Sequence, residues 1–143
     1  MATHLMKSRR QMTGAAAVEF ALVLPAFLIL VFGLIELSLI LYNSAVITNA
    51  AREAARAGVV LRQPKLSAAE IQQVAQTYAQ GQLISFGTAT PPTVTVTSGV
   101  GGSFGTPLTV NVSYSYTSLG LSSFLTALGT PLVLTSTSVM SNE

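Results

Sequence analysis

The sequence contains no cysteine, no aspartate and no tryptophan, and its single histidine, His4, lies four residues from the start. Without cysteine there is no disulfide, no thiolate nucleophile and no cysteine metal site. The acids are Glu19, Glu36, Glu53, Glu70 and Glu143, spread along the whole chain. Beyond residue 14, Ser-His-Asp, Cys-His and His-carboxylate constellations therefore cannot be assembled. The expectation is a protein that is not an enzyme, with no cofactor, no metal and no small-molecule substrate. Charge is scarce as well. Only 8% of the 143 residues are charged, against roughly a quarter in soluble domains. A membrane segment joined to a Ser/Thr-rich region outside the membrane would account for that deficit.

The net charge of +2 is misleading about the surface. Lys7, Arg9 and Arg10 all precede Gly14, and the rest of the chain sets four cations (Arg52, Arg56, Arg62, Lys65) against five glutamates. The basic character belongs to the first segment. No basic face remains for phosphate backbones, so a nucleic-acid partner is excluded.

After that segment the chain turns apolar. Residues 15–41 carry only Glu19 and Glu36 as charges. The run Phe20–Ile35 is uncharged and would span about 24 Å as a helix, short of a ~30 Å hydrocarbon core. Extension back to Ala15 completes a crossing, and lipid is then a partner. Cations on the N-terminal side orient the start towards the cytoplasm and the remainder outside. A cleaved secretory signal is the competing reading. Its apolar core would be shorter and followed by a small-x-small site, whereas here the helical pattern runs through Ala45, Ala50 and Ala51. A retained anchor is the better fit.

The helix should continue past the membrane. Residues 43–59 hold no proline and are rich in alanine, the best helix former. Ala50, Ala54, Ala57 and Ala51, Ala55, Gly58 form adjacent ridges of small residues that allow close packing. Arg52 and Arg56 lie on another face, with Glu53 read as not sharing it. Pro25 should loosen the helix by removing the bond to the Ala21 carbonyl. Gln63-Pro64 ends the pattern. A second helix starts with the capping box Ser67–Glu70, shows an apolar stripe at Ile71, Val74, Ala75 and Tyr78, and ends near Gly81.

The last third reads as β structure. Thr93–Thr97 and Leu108–Tyr116 alternate strictly and should pair as a hairpin across the glycines at 99–102. Leu132–Val139 is a weaker third strand, and Leu119–Leu128 stays open between a short helix and an irregular crossing. Such a sheet needs a cover, and the alanine-rich helix end and the second helix are the elements available. Asn111-Val112-Ser113 matches a glycosylation pattern, although Thr and Ser simply suit solvent-facing strand positions. The predicted fold class is α+β. It has a long N-terminal membrane helix, a second helix and a roughly three-stranded antiparallel sheet, divided as leader 1–14, membrane helix 15–42 and extracytoplasmic domain 43–143.

Glu19 is the odd residue. A carboxylate inside a bilayer costs a few kcal/mol on insertion scales and normally has a partner, although an interfacial position would let it snorkel. Its context is Gly14-Ala15-Ala16-Ala17-Val18-Glu19-Phe20, with a basic leader before it and a long apolar helix after it. This resembles the processing site of type IV prepilins, and more closely the TadE-like pseudopilins of Tad/Flp pilus systems. The stretch Asn49-Ala50-Ala51-Arg52-Glu53-Ala54-Ala55-Arg56-Ala57 resembles that family's second signature. The resemblance implies a pilin-like fold and cleavage by a prepilin peptidase between Gly14 and Ala15, which discards Lys7, Arg9 and Arg10. It also implies a register role for Glu19 and Phe20 in assembly, and packing through Ala51, Arg52, Glu53, Ala55 and Arg56. The implied partners are that peptidase, other pilins or pseudopilins and the assembly machinery, at the bacterial inner membrane. The length suggests a minor subunit. The alternative is an uncleaved signal-anchored envelope protein displaying a small structural or binding domain.

Overall fold

The computed structural model describes residues 3–86, 90–117 and 132–143, with side chains from residue 14 onward. Five elements follow in order: α1 (Thr3–Val59), α2 (Ala68–Ala79), β1 (Thr93–Ser98), β2 (Pro107–Tyr116) and β3 (Leu132–Ser141). The segment Leu119–Leu128, left open on sequence, lies outside the described residues. Two compact units divide the chain, Met1–Ile35 and Glu36–Glu143.

The first unit is a stretch of α1 alone. The helix is unbroken through Pro25, so the expected loosening does not interrupt it. From Gly14 to Leu30 every residue but Leu24 is exposed. The helix from Gly14 on has an 18-residue window of mean hydropathy 2.6 with none of it buried. One helix is thus long and apolar enough to cross a membrane, and its apolar surface has no protein cover within its unit.

In the second unit β1, β2 and β3 form one antiparallel sheet in that spatial order. Val94 pairs with Val112 and Val96 with Val110. The β1–β2 register then shifts between Val96 and Ser98, whereas β2 and β3 pair without interruption from Pro107↔Ser141 to Tyr116↔Leu132. Alternation puts Leu108, Val110, Val112, Tyr114 and Tyr116 on one face of β2, all buried. They meet Ile47, Ala50, Ala51, Ala54 and Ala55 of α1 and Ile71, Ala75 and Ala79 of α2 in one core. The predicted cover is therefore the observed one, and the alanine ridges are what let α1 lie close to the sheet. Each fully buried large aliphatic here, Ile47, Ile71 and Leu108, contributes about 1.5–3 kcal/mol by leaving water.

Local chemistry fixes the boundaries. Ser67 caps α2, with the Glu70 amide donating to its Oγ at 3.3 Å and the Ser67 amide and hydroxyl both donating to Glu70 Oε2 at 2.8 Å. Gly99 has φ +81°, and a Cβ there would run into the Pro107 carbonyl, so the β1–β2 connection requires glycine.

Candidate processing and assembly segment

Gly14, Ala15, Glu19 and Phe20 all lie exposed on α1, within the first unit. A Cβ built on Gly14 meets nothing within 4 Å. Glycine in a helix costs roughly 0.5–1 kcal/mol relative to alanine, so this one is held at a small loss with no packing reason among the described residues. Gly58 is the opposite case. A Cβ there would approach Leu108 Cδ2 to 2.5 Å and Ile71 Cδ1 to 2.8 Å, so Gly58 is a packing residue. Lys7, Arg9 and Arg10 lie within helical backbone whose side chains are outside the described set.

The second signature is divided by function. Ala51 and Ala55 are fully buried against the sheet, while Arg52 and Arg56 are exposed and Glu53 is half-buried. One expectation is corrected here. Glu53 does share a face with Arg56, because residues three apart on a helix are neighbours. Arg56 Nη2 donates to Glu53 Oε1 at 2.6 Å and Arg56 Nε to Oε2 at 3.1 Å. The stretch is thus an inward alanine stripe and an outward charged edge, rather than one packing surface.

Residues that sequence reading passed over hold the second unit together. Asn43 is fully buried; its Nδ2 donates to the Ile84 carbonyl at 2.8 Å and its Oδ1 accepts the Ile84 amide at 2.9 Å. A side-chain amide has both a donor and an acceptor, so one residue ties α1 to the segment after α2. Leu39 and Ile40 pack against the same core. The core therefore takes in part of 36–42, which hydropathy alone would assign to the membrane. At the other end of the unit, Asn142 Nδ2 donates to the carbonyls of Gly99 and Thr106, both at 2.9 Å. Lys65 Nζ donates to the Gly102 carbonyl at 2.7 Å, and the Glu143 amide donates to the Val59 carbonyl at 3.0 Å. That last bond satisfies one of the carbonyls orphaned at the end of α1. The available signal at Asn43 was a lone amide side chain closing a long apolar run; Asn142, between Ser141 and Glu143, gave none.

Chemically the segment offers little beyond its backbone and one carboxylate. Among the described residues no group of three or more His, Cys, Asp or Glu could hold a metal. Asn111 spends its amide on Thr137 Oγ1 at 2.8 Å, on the open face of the sheet.

A family model described as TadE-like protein matches residues 14–56. Over those residues the chain is similar to that family. The match opens at Gly14 and closes at Arg56, spanning both stretches singled out on sequence. It covers the bare helix and the part of α1 that enters the core, and leaves α2 and the sheet unmatched. No curated protein and no solved structure matches the chain.

Proposed function

We propose that the chain is a minor pilin or pseudopilin acting in assembly of Tad/Flp-type pili, matured by a prepilin peptidase that cuts after Gly14. One observation carries the reading. The TadE-like match begins at a glycine that sits exposed on α1 and that no contact among the described residues requires. A residue without a side chain lets a membrane-embedded protease approach the backbone. Cleavage frees the α-amine of Ala15, removes Lys7, Arg9 and Arg10, and leaves an apolar helix at the new N-terminus. The span then runs over residues 15–35, with the N-terminus at the cytoplasmic face of the inner membrane and the second unit outside. Glu19 has one role in this scheme, to pair with the α-amine of a neighbouring subunit, since an unpaired charge in an apolar bundle is costly. The protein is structural rather than enzymatic.

Co-expression with a prepilin peptidase, followed by N-terminal sequencing, tests the cut. The expected start is Ala15, lost in Gly14→Val. An intact Met1, or a start between Ala45 and Ala51, overturns the processing. Glu19→Ala should be processed normally yet fail to enter assemblies; normal assembly of this variant removes the register role.

A further inference from the structure

The end of the second unit where the chain enters it has a particular surface. Glu36 is its first residue. Tyr116 ends β2 at the same place. Its hydroxyl is buried with no hydrogen-bond partner among the described residues, and burial first, then the nearby Glu36 charge, raises its pKa. Tyr116 pairs with Leu132, the first residue of β3. Ile84 is tied there through Asn43. Around these points the unit exposes Leu37, Leu41, Tyr42, Ile84, Leu132 and Val133, each between 38% and 62% open. Leu132 lies on the core-facing side of β3 and Val133 on the other, so both faces of the sheet are apolar at this end.

The opposite end of the unit also exposes apolar residues, Leu61 and Phe104 among them, but it gathers Arg62, Lys65 and Glu143. Around Tyr116 the charge among the described residues is Glu36 alone, because the chain has no charged residue between Glu70 and Glu143. An exposed apolar surface of this kind marks an interaction site.

We infer that this end of the second unit is a lipid-facing seat, with Ile84, Leu132 and Val133 set into the headgroup and upper acyl region of the bilayer. The inference rests on the anchor reading above. Lipid is favoured over a protein partner by chain continuity. Glu36 directly follows the exposed apolar stretch of α1, part of a helix long and apolar enough to cross a membrane, so every anchored copy brings this surface to the bilayer with no second molecule. Tyr42 is of the residue type enriched at that interface, and carries both an apolar ring and a polar tip.

The absence of cysteine and tryptophan makes the test clean, since one introduced cysteine carries the only probe. The full chain is reconstituted in phosphatidylethanolamine/phosphatidylglycerol vesicles with an environment-sensitive fluorophore at Ile84→Cys or Val133→Cys. Leu28→Cys reports the anchor, and Val100→Cys reports the far end. Spin-labelled lipids with the label near the headgroup serve as quencher. At least twofold quenching is expected at 84 and 133 relative to 100, with position 28 quenched by labels deeper in the chain. If position 28 is quenched while 84 and 133 behave like 100, the seat is overturned and the anchor stands. If position 28 is unquenched, the anchor reading fails and the seat fails with it. If 84 and 133 are shielded from aqueous iodide but not quenched by lipid, and the shielding disappears when protein is diluted in lipid, another protein copy covers the surface and the lipid assignment is wrong.

Discussion

The two units of this chain share one helix and use it in opposite ways. Up to Ile35, α1 exposes nearly every apolar side chain it has. From Glu36 on, the same helix sorts its residues by face, burying Ile47, Ala50, Ala51, Ala54 and Ala55 while leaving Arg52 and Arg56 outside. Apolar composition alone does not separate these cases. Size helps to: the first unit has Leu, Phe, Val and Ile all round, while the second sets the small Ala50, Ala51, Ala54 and Ala55 beside Ile47 on its buried face. Large apolar residues on every side suit a fluid apolar solvent that needs no shape complementarity. Small ones on one side suit a fixed neighbour that does. The two glycines make the same contrast, Gly14 in open space and Gly58 pressed between Leu108 and Ile71.

The largest break of this comparison should come from the core. Leu108 is fully buried in the core of the second unit. Leu108→Ala should cost about 2–5 kcal/mol, the range for a truncated core leucine. Leu28→Ala, on the exposed helix, should leave the second unit's stability unchanged. All four tyrosines, Tyr42, Tyr78, Tyr114 and Tyr116, lie in the second unit, so tyrosine near-ultraviolet dichroism during denaturant titration in micelles reports that unit alone. Equal effects from the two substitutions would mean that the units do not differ in the way their burial indicates.

Next in size are the glycines. Gly58→Val forces two γ-carbons towards Leu108 and Ile71, and overpacking of this kind costs about 1–3 kcal/mol. Gly14→Val should leave the same unfolding curve unmoved. The pair isolates packing from accessibility, since both glycines are helical and, among the described residues, only Gly58 has neighbours in the way of a side chain.

Much of this architecture was legible in the sequence, and the reasons are local. The capping box at Ser67 and Glu70, the alternation of Thr93–Thr97 and Leu108–Tyr116, and the alanine ridges at 50–55 each carry their own period or spacing. A single window is enough to see them. What was not legible depends on contacts distant in sequence. Asn43 is read as an unremarkable polar residue after an apolar run until Ile84 is placed beside it, 41 positions away. The side on which Arg56 meets Glu53 is a local matter and was misjudged by treating sequence adjacency as the test, when the third residue along the helix is the neighbour. The membrane boundary was blurred for a related reason. Leu37, Leu39 and Ile40 are as hydrophobic as the residues before them, and only packing shows that Leu39 and Ile40 meet the core of the second unit. In the candidate site, Gly14 and Glu19 stood out through the pattern around them, while the lack of any packing demand on Gly14 needed the structure.

The smallest effect concerns pH and is confined to the second unit. The Ser67 amide, then its hydroxyl, hold the Glu70 carboxyl below the usual carboxylate range, with Arg62 adding to the shift. A carboxyl whose pKa is lowered on folding contributes stability above the pH at which it titrates in the unfolded chain. That contribution is lost as the pH falls through the lowered folded value. Wild type should therefore lose more stability on acidification through the ordinary glutamate range than Glu70→Gln does, by the same tyrosine signal. Ser67→Ala removes the cap and should cost about 1 kcal/mol at neutral pH. It should also flatten the acid dependence, because the hydroxyl that donates to Glu70 is gone while the Ser67 amide contact loses its reciprocal partner. If the acid slope of Ser67→Ala equals that of wild type, the hydroxyl is not what holds the carboxyl low, and the Ser67 amide, which the alanine variant keeps, carries the shift.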